Sequence, residues 1–540
     1  MNDRIKLIDY FASILPGDYP TDYFLGGENT NYAKLYRAIS EGFVKCDQDA
    51  LKYLFDNVDK SSYFSTKSRL LSKFIAMFAG LYIQGSSKSG IRALKHRCNQ
   101  VKAVADLLIM SDRRHLATGI IRHQHGLLAR SENACMTETY VWTLHQVGIG
   151  YALEGDRVNT EKIHVKLRRF SRIYILELES SEALNEAHLA LTNSLNSNSE
   201  VLDVVSRSAT IAAANYAEAV HIAPEYGNFN TFQMYYHCQK LTYELRGEFE
   251  AIRSLVNEFH SFLESHSLFK TPELIGSLLL TKSNLYYRLA IFDEGYKYAK
   301  GGMTQYSNKG SMWIRCLQNY ILNCMHNGEY TRIVDELEQL DKLNSTGEYK
   351  LPEGATREYF IMFKVVIALM RRIDLVDFRY DFGRSTDAVD NSQCSFNLAT
   401  SLKYHAKDKD GYYSQLMQIK IILLLEQLYS TKQLSETLDD QLYNLCSIAA
   451  SKVESLSSSL STFRTAVTLE FLTKLKDGIE SGDQLESFLI EYSDKLRQVT
   501  SARPAKRDAV EYLPCELVFS IVKQLYSKHA KSNLHGREYK

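Results

Sequence analysis

A short phrase at the boundary between two helix-like segments recurs three times in the middle of the chain. It reads Gly247-Glu248-Phe249, then Ala290-Ile291-Phe292, then Gly328-Glu329-Tyr330, and the first residues are 43 and 38 positions apart. Apolar residues at helical spacing precede and follow each copy. A period of this length is typical of stacked helix pairs, each of which buries its apolar face against its neighbours. The phrase therefore predicts an all-α fold, an α-solenoid of antiparallel helix pairs.

A fourth, weaker copy of the phrase, Gly155-Asp156, lies 92 residues before Gly247. We interpret this distance as two units of 46, with a degenerate turn near Asn198. The chain has only 7 prolines, none of them between Pro20 and Pro224. Proline removes a backbone donor and breaks helices, so its scarcity suits an all-α chain. Between residues 91 and 344 we expect helices of roughly 15–22 residues joined by tight turns.

Small, polar or irregular stretches divide the sequence into five parts. These are an N-terminal helical segment (1–85), helical repeats (91–347), an irregular connection with one helix (348–393), C-terminal helical repeats (394–500), and a linker, last helix and basic tail (501–540). The run from Gly85 to Gly90 has the composition of a flexible linker. We expect the basic end of the chain, residues 528–540, to be disordered.

The most regular copy of the repeat lies between Leu285 and Met303. Its key residues, in order, are Tyr286, Ala290, Phe292, Asp293-Glu294, Gly295 and Gly302. A large residue near the end of one helix, a small residue in the turn, an aromatic, an acidic pair and small residues on the next helix resemble the core of a tetratricopeptide repeat (TPR). The resemblance implies a TPR-like superhelix whose small residues let helices approach closely. It also implies a concave surface that binds peptides or helices of partner proteins.

Charge is balanced overall but concentrated locally. The chain has 64 Lys and Arg residues and 64 Asp and Glu residues, so it carries no net positive charge that would attract nucleic acid. Basic residues nevertheless cluster between positions 91 and 172, where the candidate partner-binding residues are Arg113, Arg114, Arg122, Arg168 and Arg169. One interpretation is a basic groove for an acidic peptide or a nucleic-acid backbone. The other is a solvated outer face whose charge is compensated by acidic helices elsewhere.

Tyrosines form a second set of candidate contacts. The chain contains 35 of them, and Tyr235, Tyr236 and Tyr287 fall in the repeats. A rigid ring with a hydroxyl makes a good contact for a partner protein. The same rings also suit the core, as wedges between helices. The sequence leaves both roles open.

Motifs of catalysis and cofactor binding do not occur in the sequence. The chain has neither a glycine-rich phosphate loop nor a Gly-x-Ser-x-Gly elbow. His115, His123 and His125 lie together but lack the spacing of zinc ligands on one helix face. We therefore expect no cofactor, no metal site and no enzymatic activity.

Several features predict a cytoplasmic protein without a membrane partner. The N-terminus lacks the pattern of a secretory signal, and no apolar run reaches the ~18–20 residues of a bilayer span. The 9 cysteines stand singly, as free thiols do in a reducing compartment. The preferred hypothesis is a non-catalytic scaffold that binds a protein or peptide. The alternative is a regulatory or sensor protein that binds an acidic peptide or nucleic acid through residues 91–172.

Overall fold

The computed structural model describes most of the chain, and the statements below concern those residues. They are residue 8 and residues 30–44, 46–55, 60–78, 91–128, 136–192, 198–226, 228–306, 310–347, 349, 355–376, 399, 412–430, 436–457, 463–478, 482–502 and 513–537. The expected linker from Gly85 to Gly90 and most of the stretches 377–411 and 503–512 lie outside the described residues.

Within these ranges the regular structure is entirely helical, which confirms the predicted all-α class. The first ten α-helices are α1 (Asn31–Ser40), α2 (Asp47–Phe55), α3 (Lys60–Phe78), α4 (Ile91–Met110), α5 (Arg114–Leu128), α6 (Thr137–Leu153), α7 (Arg157–Thr192), α8 (Asn198–Ile222), α9 (Phe229–Arg246) and α10 (Phe249–Ser265). The next ten are α11 (Pro272–Arg288), α12 (Phe292–Gln305), α13 (Ser311–Asn327), α14 (Tyr330–Ser345), α15 (Ala355–Arg372), α16 (Tyr412–Ser430), α17 (Glu436–Ser457), α18 (Phe463–Gly478), α19 (Gly482–Ala502) and α20 (Cys515–Arg537). Short 3-10 helices lie at Pro224–Tyr226 and Ser267–Phe269.

The helices are organised in two compact units. Unit 1 comprises Met1–Leu245 and Ser261–Thr271, and unit 2 comprises Arg246–His260 and Pro272–Lys540. Within each unit, helices pack mainly against their neighbours in sequence. Helix α7 packs between α6 and α8 in unit 1, and α12 packs between α11 and α13 in unit 2. Packing between sequence neighbours is compatible with a helical repeat.

One type of turn closes five of the helices. Its left-handed residue, with φ between 57° and 74°, is Asp112, Gly155, Ala290, Gly328 or Asp374. In each case the next residue donates its N–H to the carbonyl five positions back, over 2.8–3.0 Å. This is the Schellman motif, which satisfies the last carbonyl groups of a helix and reverses the chain.

The phrase found in the sequence marks a left-handed residue at the end of a helix. The first residue of every copy is left-handed, with φ of 73° at Gly155, 70° at Gly247, 59° at Ala290 and 74° at Gly328. The series extends to Asp112, 43 residues before Gly155, and to Asp374, 46 residues after Gly328. The phrase did not reveal these two because aspartate occupies the position that glycine usually holds.

Helix α7 differs from the expected helix length. It runs for 36 residues, well beyond the expected 15–22, because residues 157–192 contain neither glycine nor proline. The interval between Gly155 and Gly247 consequently holds three helices, α7, α8 and α9, and not the four of two complete pairs. The predicted division of this interval into two units of 46 is therefore wrong.

Aromatic side chains form part of the core of unit 1. Tyr140 of α6 meets Phe170 of α7 edge to face, with ring centroids 4.7 Å apart, and Phe170 meets Tyr226 in the same way at 4.6 Å. Edge-to-face contacts suit the aromatic quadrupole and add to the benefit of burial. Because Tyr140 and Phe170 are almost completely buried, these rings set how α6, α7 and the turn after α8 pack.

Glycines of α12 let α13 approach closely in unit 2. A Cβ atom at Gly295 would lie 2.0 Å from Oδ1 of Asn323, and one at Gly302 would lie 2.9 Å from Sγ of Cys316. Asn323 is buried, and its Nδ2 donates to Oγ of Ser283 on α11 over 3.3 Å. The small residues singled out by the TPR resemblance thus admit side chains of the following hairpin, which links three successive helices.

The last helix of unit 2 returns to helices far back in the sequence. Helix α20 packs against α16, α18 and α19. Just before it, the N–H of Leu513 donates to Oε1 of Gln415 over 3.0 Å. Further along, Lys528 donates to the carbonyl of Arg372 over 2.7 Å and pairs with Asp374 at 2.6 Å. The C-terminal part of unit 2 therefore closes on itself.

The basic tail is helical over most of its length. Helix α20 continues to Arg537, so the expected disorder of residues 528–540 is wrong for residues 528–537. At the start of this segment, Lys528 contacts Arg372, the last residue of α15, and Asp374 in the turn that follows it. Basic residues near the C-terminus of a helix are also favoured by the helix dipole.

Candidate functional site

The candidate arginine of α5 is already engaged by neighbouring side chains. Arg122 pairs with Glu154, and its guanidinium lies over the ring of Tyr151, 4.7 Å from the centroid. Glu154 follows the end of α6, so this pair joins α5 to the turn between α6 and α7. The positive charge of Arg122 is therefore compensated within unit 1.

Two arginines of α7 are also neutralised by acidic residues of the next element. Arg169 pairs with Glu225 at 2.8 Å, and its Nε donates to the carbonyl of Ile222. Arg172 holds Glu218 in a bidentate pair, with distances of 2.7 and 3.0 Å. Such forked pairs are the strongest that arginine makes. Compensation of this kind is what the outer-face interpretation of the basic region anticipated.

The other candidate arginines lie in two places. Arg113 and Arg114 stand at the start of α5, the first exposed and the second half-buried. Arg168 lies in the first half of α7 and is exposed. The sequence grouped all five arginines together, whereas the structure distributes them over a turn and two helices with different local partners.

The candidate tyrosines divide between core and partial exposure. Tyr236 and Tyr287 are only 3% and 2% exposed, so the structure assigns both to the core and not to a partner surface. The hydroxyl of Tyr287 lies 3.3 Å from Nε2 of His326, and the two rings meet edge to face. Tyr235 is half-buried and stacks on Tyr216, with ring centroids 5.4 Å apart. Of the three, Tyr235 alone keeps an accessible face.

A groove in unit 2 offers a surface that the sequence did not suggest. It lies between α19 and α20 and has a volume of about 720 Å³. Leu489, Leu496 and Phe519 line its apolar floor, and Ile490 stands beside them with 60% of its surface exposed. The groove and the exposed Ile490 together offer apolar contact area to a ligand.

Charges of both signs surround the groove. Lys523 lies 3.5 Å from Glu486, and Arg497 lies 3.1 Å from Asp494. A rim of mixed sign does not favour a polyanion such as nucleic acid. It is complementary to a polypeptide segment that carries both acidic and basic residues around an apolar face.

A nearly buried arginine fixes one wall of the groove. Arg464 of α18 has 2% of its side chain exposed, and its guanidinium donates to both oxygens of Glu516 over 2.7 and 2.9 Å. Glu516 lies in the first turn of α20, where the helix dipole also favours a carboxylate. The pair thereby sets the position of α20 relative to α18.

One sequence signal could have revealed the groove. Glu486, Ile490 and Asp494 recur every four residues, so they share one face of α19. Ile490 therefore lies between two acidic residues on a polar face of α19, which indicates that its side chain is exposed and available for a contact. The facing wall, α20, comes from residues beyond the 503–512 stretch, so the sequence could not show that the two helices are adjacent.

A carboxyl group of unit 1 has a pKa close to neutral pH. Glu177 of α7 accepts hydrogen bonds from Oγ1 of Thr137 over 2.6 Å and from Nδ2 of Asn230 over 3.1 Å. Burial raises the pKa of this carboxyl to about 7, and the two hydrogen bonds oppose that rise. Because the three residues lie on α6, α7 and α9, the group acts as a junction between helices, and we assign it no reaction.

The described residues form neither a metal cluster nor a membrane-spanning helix. No three His, Cys, Asp or Glu side chains in those ranges are placed to share a metal ion. None of the helices described here is both long enough and apolar enough to span a bilayer. No protein-family model matches this chain, and no curated protein matches it.

Proposed function

We propose that this chain is a non-catalytic scaffold that binds a segment of a partner protein, and that its hairpins stack as a TPR-like solenoid. The observation that carries the proposal is the recurrence of a left-handed residue at helix ends, at an interval of 43 residues from Asp112 to Gly155 and at intervals of 38–46 residues from Gly247 to Asp374. Repeated hairpins of this size build continuous surfaces for polypeptide ligands. Seven free cysteines among the described residues are in keeping with a cytoplasmic, reducing environment.

The groove between α19 and α20 is the best candidate binding site for such a segment. It combines the apolar floor of Leu489 and Phe519 with a rim of both charge signs. An amphipathic helix or extended segment of the partner would bury its apolar side chains against Ile490 and pair its charges at the rim.

The alternative, a regulator that binds an acidic peptide or nucleic acid through residues 91–172, is less well supported. Arg122, Arg169 and Arg172 already have carboxylate partners within unit 1. Phosphate contacts at these positions would require those pairs to break first.

Crosslinking of the full chain in a cell extract, followed by reconstitution with the purified partner, tests the proposal. We expect Ile490→Asp to weaken binding at least tenfold, because it puts a charge on the apolar wall of the groove. Ile448→Asp on α17, whose isoleucine is 46% exposed, is the matched control and should leave binding unchanged. A chain that crosslinks to no protein and instead turns over a substrate would contradict the proposal.

A further inference from the structure

Helix α7 carries a long stripe of exposed residues opposite its buried face. The buried side recurs at Ile163, Phe170, Ile173 and Leu176, with alanines continuing toward the C-terminus. The opposite stripe follows the same helical period and consists of Glu161, Val165, Arg168, Arg172, Ile175, Glu179, Glu182, Glu186 and Leu189. At 1.5 Å per residue, 36 residues make this stripe about 54 Å long.

Charge is segregated along α7. Residues 157–172 carry six basic side chains and a single acidic one, Glu161. Residues 173–192 carry four glutamates and neither Lys nor Arg. The helix is therefore positive over its first half and negative over its second, with the change of sign between Arg172 and Glu177.

This order of charges does not stabilise the helix itself. The helix dipole favours acidic residues in the first turn, where α7 instead carries Arg157 and no acidic residue. Segregation also places like charges one turn apart, as in Lys162 with Lys166 and Glu182 with Glu186, and such pairs repel. Arg169 and Arg172 have carboxylate partners within unit 1, so an external complement is called for at other charges of the stripe, among them the exposed Arg168 and Glu182.

Apolar residues interrupt the charges on the same stripe. Val165, Ile175 and Leu189 are 55%, 44% and 60% exposed, and the adjoining Leu178 is 52% exposed. Ile175 and Leu178 lie one helical turn apart, so together they form a small exposed apolar patch near the middle of the helix. A partner for α7 must consequently supply both apolar contact and charge that reverses along the helix.

We propose that α7 binds α7 of a second copy of this chain, antiparallel and about a twofold axis near Ile175. Antiparallel pairing sets the positive half of each helix against the negative half of the other, so one stripe is its own complement. Such self-complementary contacts are the usual basis of symmetric dimers. Arg168 and Glu182 each lie seven residues from Ile175, on the same face, so each Arg168 faces Glu182 of the second copy.

The arginines differ in how free they are to make this contact. Arg169 and Arg172 are held by Glu225 and Glu218 within the same chain. Arg168 projects from the centre of the stripe and is exposed. Arg168 is therefore the residue on which the electrostatic part of the dimer contact chiefly depends.

Sedimentation equilibrium and light scattering on the full chain test the proposal directly. We expect a species of twice the 61.8 kDa chain mass at micromolar concentration, which dissociates more readily as salt rises. Arg168→Glu and Glu182→Arg should each weaken the homodimer at least tenfold, because each places like charges opposite one another twice.

Mixing these two variants supplies the decisive measurement. In an antiparallel pair of one variant with the other, the two substituted positions face each other with opposite charges. At the second position the native Arg168 of one chain faces the native Glu182 of the other. The mixture should therefore form a heterodimer although neither variant pairs with itself. Ile175→Ser should weaken the dimer without altering its salt dependence.

Control variants and a folding check keep the test decisive. Glu338→Arg, an exposed charge reversal on α14 in unit 2, should leave the mass unchanged. Circular dichroism should show native helix content for every variant. A wild-type chain that stays monomeric up to about 100 μM, or a dimer that survives all three α7 substitutions, would overturn the proposal. So would a mixture that shows no heterodimer while both variants remain folded.

Discussion

Ala290 ends α11 with a left-handed backbone, φ 59°, although its side chain disfavours that conformation. Glycine holds the same position in the neighbouring turns, at Gly247 and Gly328. The Schellman hydrogen bonds, Ala290 to Tyr287 over 3.0 Å and Ile291 to Tyr286 over 2.9 Å, hold the residue in place. The turn therefore depends on the helix-closing geometry, which glycine merely makes easier to adopt.

Ala290→Gly should consequently stabilise unit 2. We expect a gain of about 0.5–1 kcal/mol in unfolding free energy, because glycine removes the steric cost of the left-handed conformation. Ala299→Gly, inside α12 and fully buried, is the control and should lose about 1–2 kcal/mol. Urea unfolding followed by circular dichroism measures both. Equal destabilisation by the two changes would contradict this account of the turn.

Gly295 and Gly301 of α12 should respond in opposite directions to alanine. Gly295→Ala should destabilise unit 2 by about 2 kcal/mol, because its Cβ would overlap Oδ1 of the buried Asn323. Gly301→Ala should stabilise by about 0.5–1 kcal/mol, since its Cβ would lie at an ordinary 3.5 Å from Leu279 and alanine favours a helix. Urea midpoints of the two variants give the comparison. Stabilisation by Gly295→Ala would show that α13 is not packed this closely.

Glu177 should make the stability of unit 1 fall with rising pH. Burial raises the pKa of its carboxyl to about 7, above the ordinary 4.5, so the folded state favours the neutral acid. Below pH 4.5 the carboxyl is largely neutral in the folded and the unfolded state, so it does not destabilise unit 1. Between pH 4.5 and 7 it ionises more readily in the unfolded state, and the unfolding free energy therefore falls. Glu177→Gln should thus raise the unfolding free energy by about 2 kcal/mol at pH 8 and have no such effect at pH 4.

Unfolding measured across pH 4–8 checks this expectation. Glu338→Gln, an exposed glutamate of α14, is the control and should change the unfolding free energy by less than about 0.5 kcal/mol at any pH. A Glu177→Gln variant that is less stable than the native chain at pH 8 would mean that the charged carboxylate stabilises the junction of α6, α7 and α9.

At the scale of the helices, two arginine–glutamate pairs link helices in the C-terminal part of unit 2. Arg464 of α18 holds Glu516 at the start of α20. Arg372 of α15 holds Glu426 of α16 over 2.7 and 2.8 Å, and both side chains are largely buried. Arg372 meets the two oxygens through two different nitrogens, Nε and Nη2, so this forked pair fixes orientation as well as distance. Arg464 reaches both oxygens of Glu516 through Nη2.

Glu516→Ala should therefore loosen α20. We expect a loss of about 2 kcal/mol, below the full cost of breaking a buried pair because Glu516 itself is 57% exposed. Glu486→Ala removes the exposed pair with Lys523 on the same groove and should cost no more than about 0.5 kcal/mol. Thermal unfolding of the two variants measures the difference. Equal losses of stability in the two variants would mean that the Arg464–Glu516 pair is no stronger than an exposed ion pair.

At the scale of the whole chain, two modes of packing coexist. Helices α11–α14 contact mainly their neighbours along the sequence, whereas α20 returns to α16 and α18. The first mode is local and repeat-like, and the second is long-range. Nearest-neighbour packing implies that a defect weakens adjacent helices more than distant ones.

Hydrogen exchange on the Gly295→Ala variant tests this difference within unit 2. We expect amides of α11–α14 to exchange at least tenfold faster than in the native chain, with α17–α20 little changed. The reason is that the close contact of α12 with α13 is local to these hairpins. A uniform increase across unit 2 would show instead that it unfolds as one cooperative body.

Much of the fold could be predicted from local patterns. The three turn phrases lie at the boundaries between helices, as the sequence predicts, and α11 begins at Pro272 after Thr271, as the capping preferences of these residues indicate. The turn at Gly155 also lies where the sequence predicts it. These features depend on a few adjacent residues, so the sequence contains the information that specifies them.

The candidate site was less predictable because its geometry depends on distant residues. Arg122, Arg169 and Arg172 meet carboxylates 32, 56 and 46 positions away, which the sequence does not pair. The groove between α19 and α20 likewise depends on where the last helix docks. Tyr236 and Tyr287 are of a residue type that is common at binding surfaces, and only the tertiary structure shows that both are buried.

The amino-acid sequence by itself determined the helical class, the repeating turns and the segregated charge of α7, because each arises from residue type and short-range spacing. The tertiary structure alone decided which arginines are neutralised, which tyrosines are buried and where α20 closes unit 2. Those outcomes depend on side chains far apart in the chain that meet only after the helices have packed. Short-range preferences therefore specify the elements, and long-range packing specifies the surfaces they present.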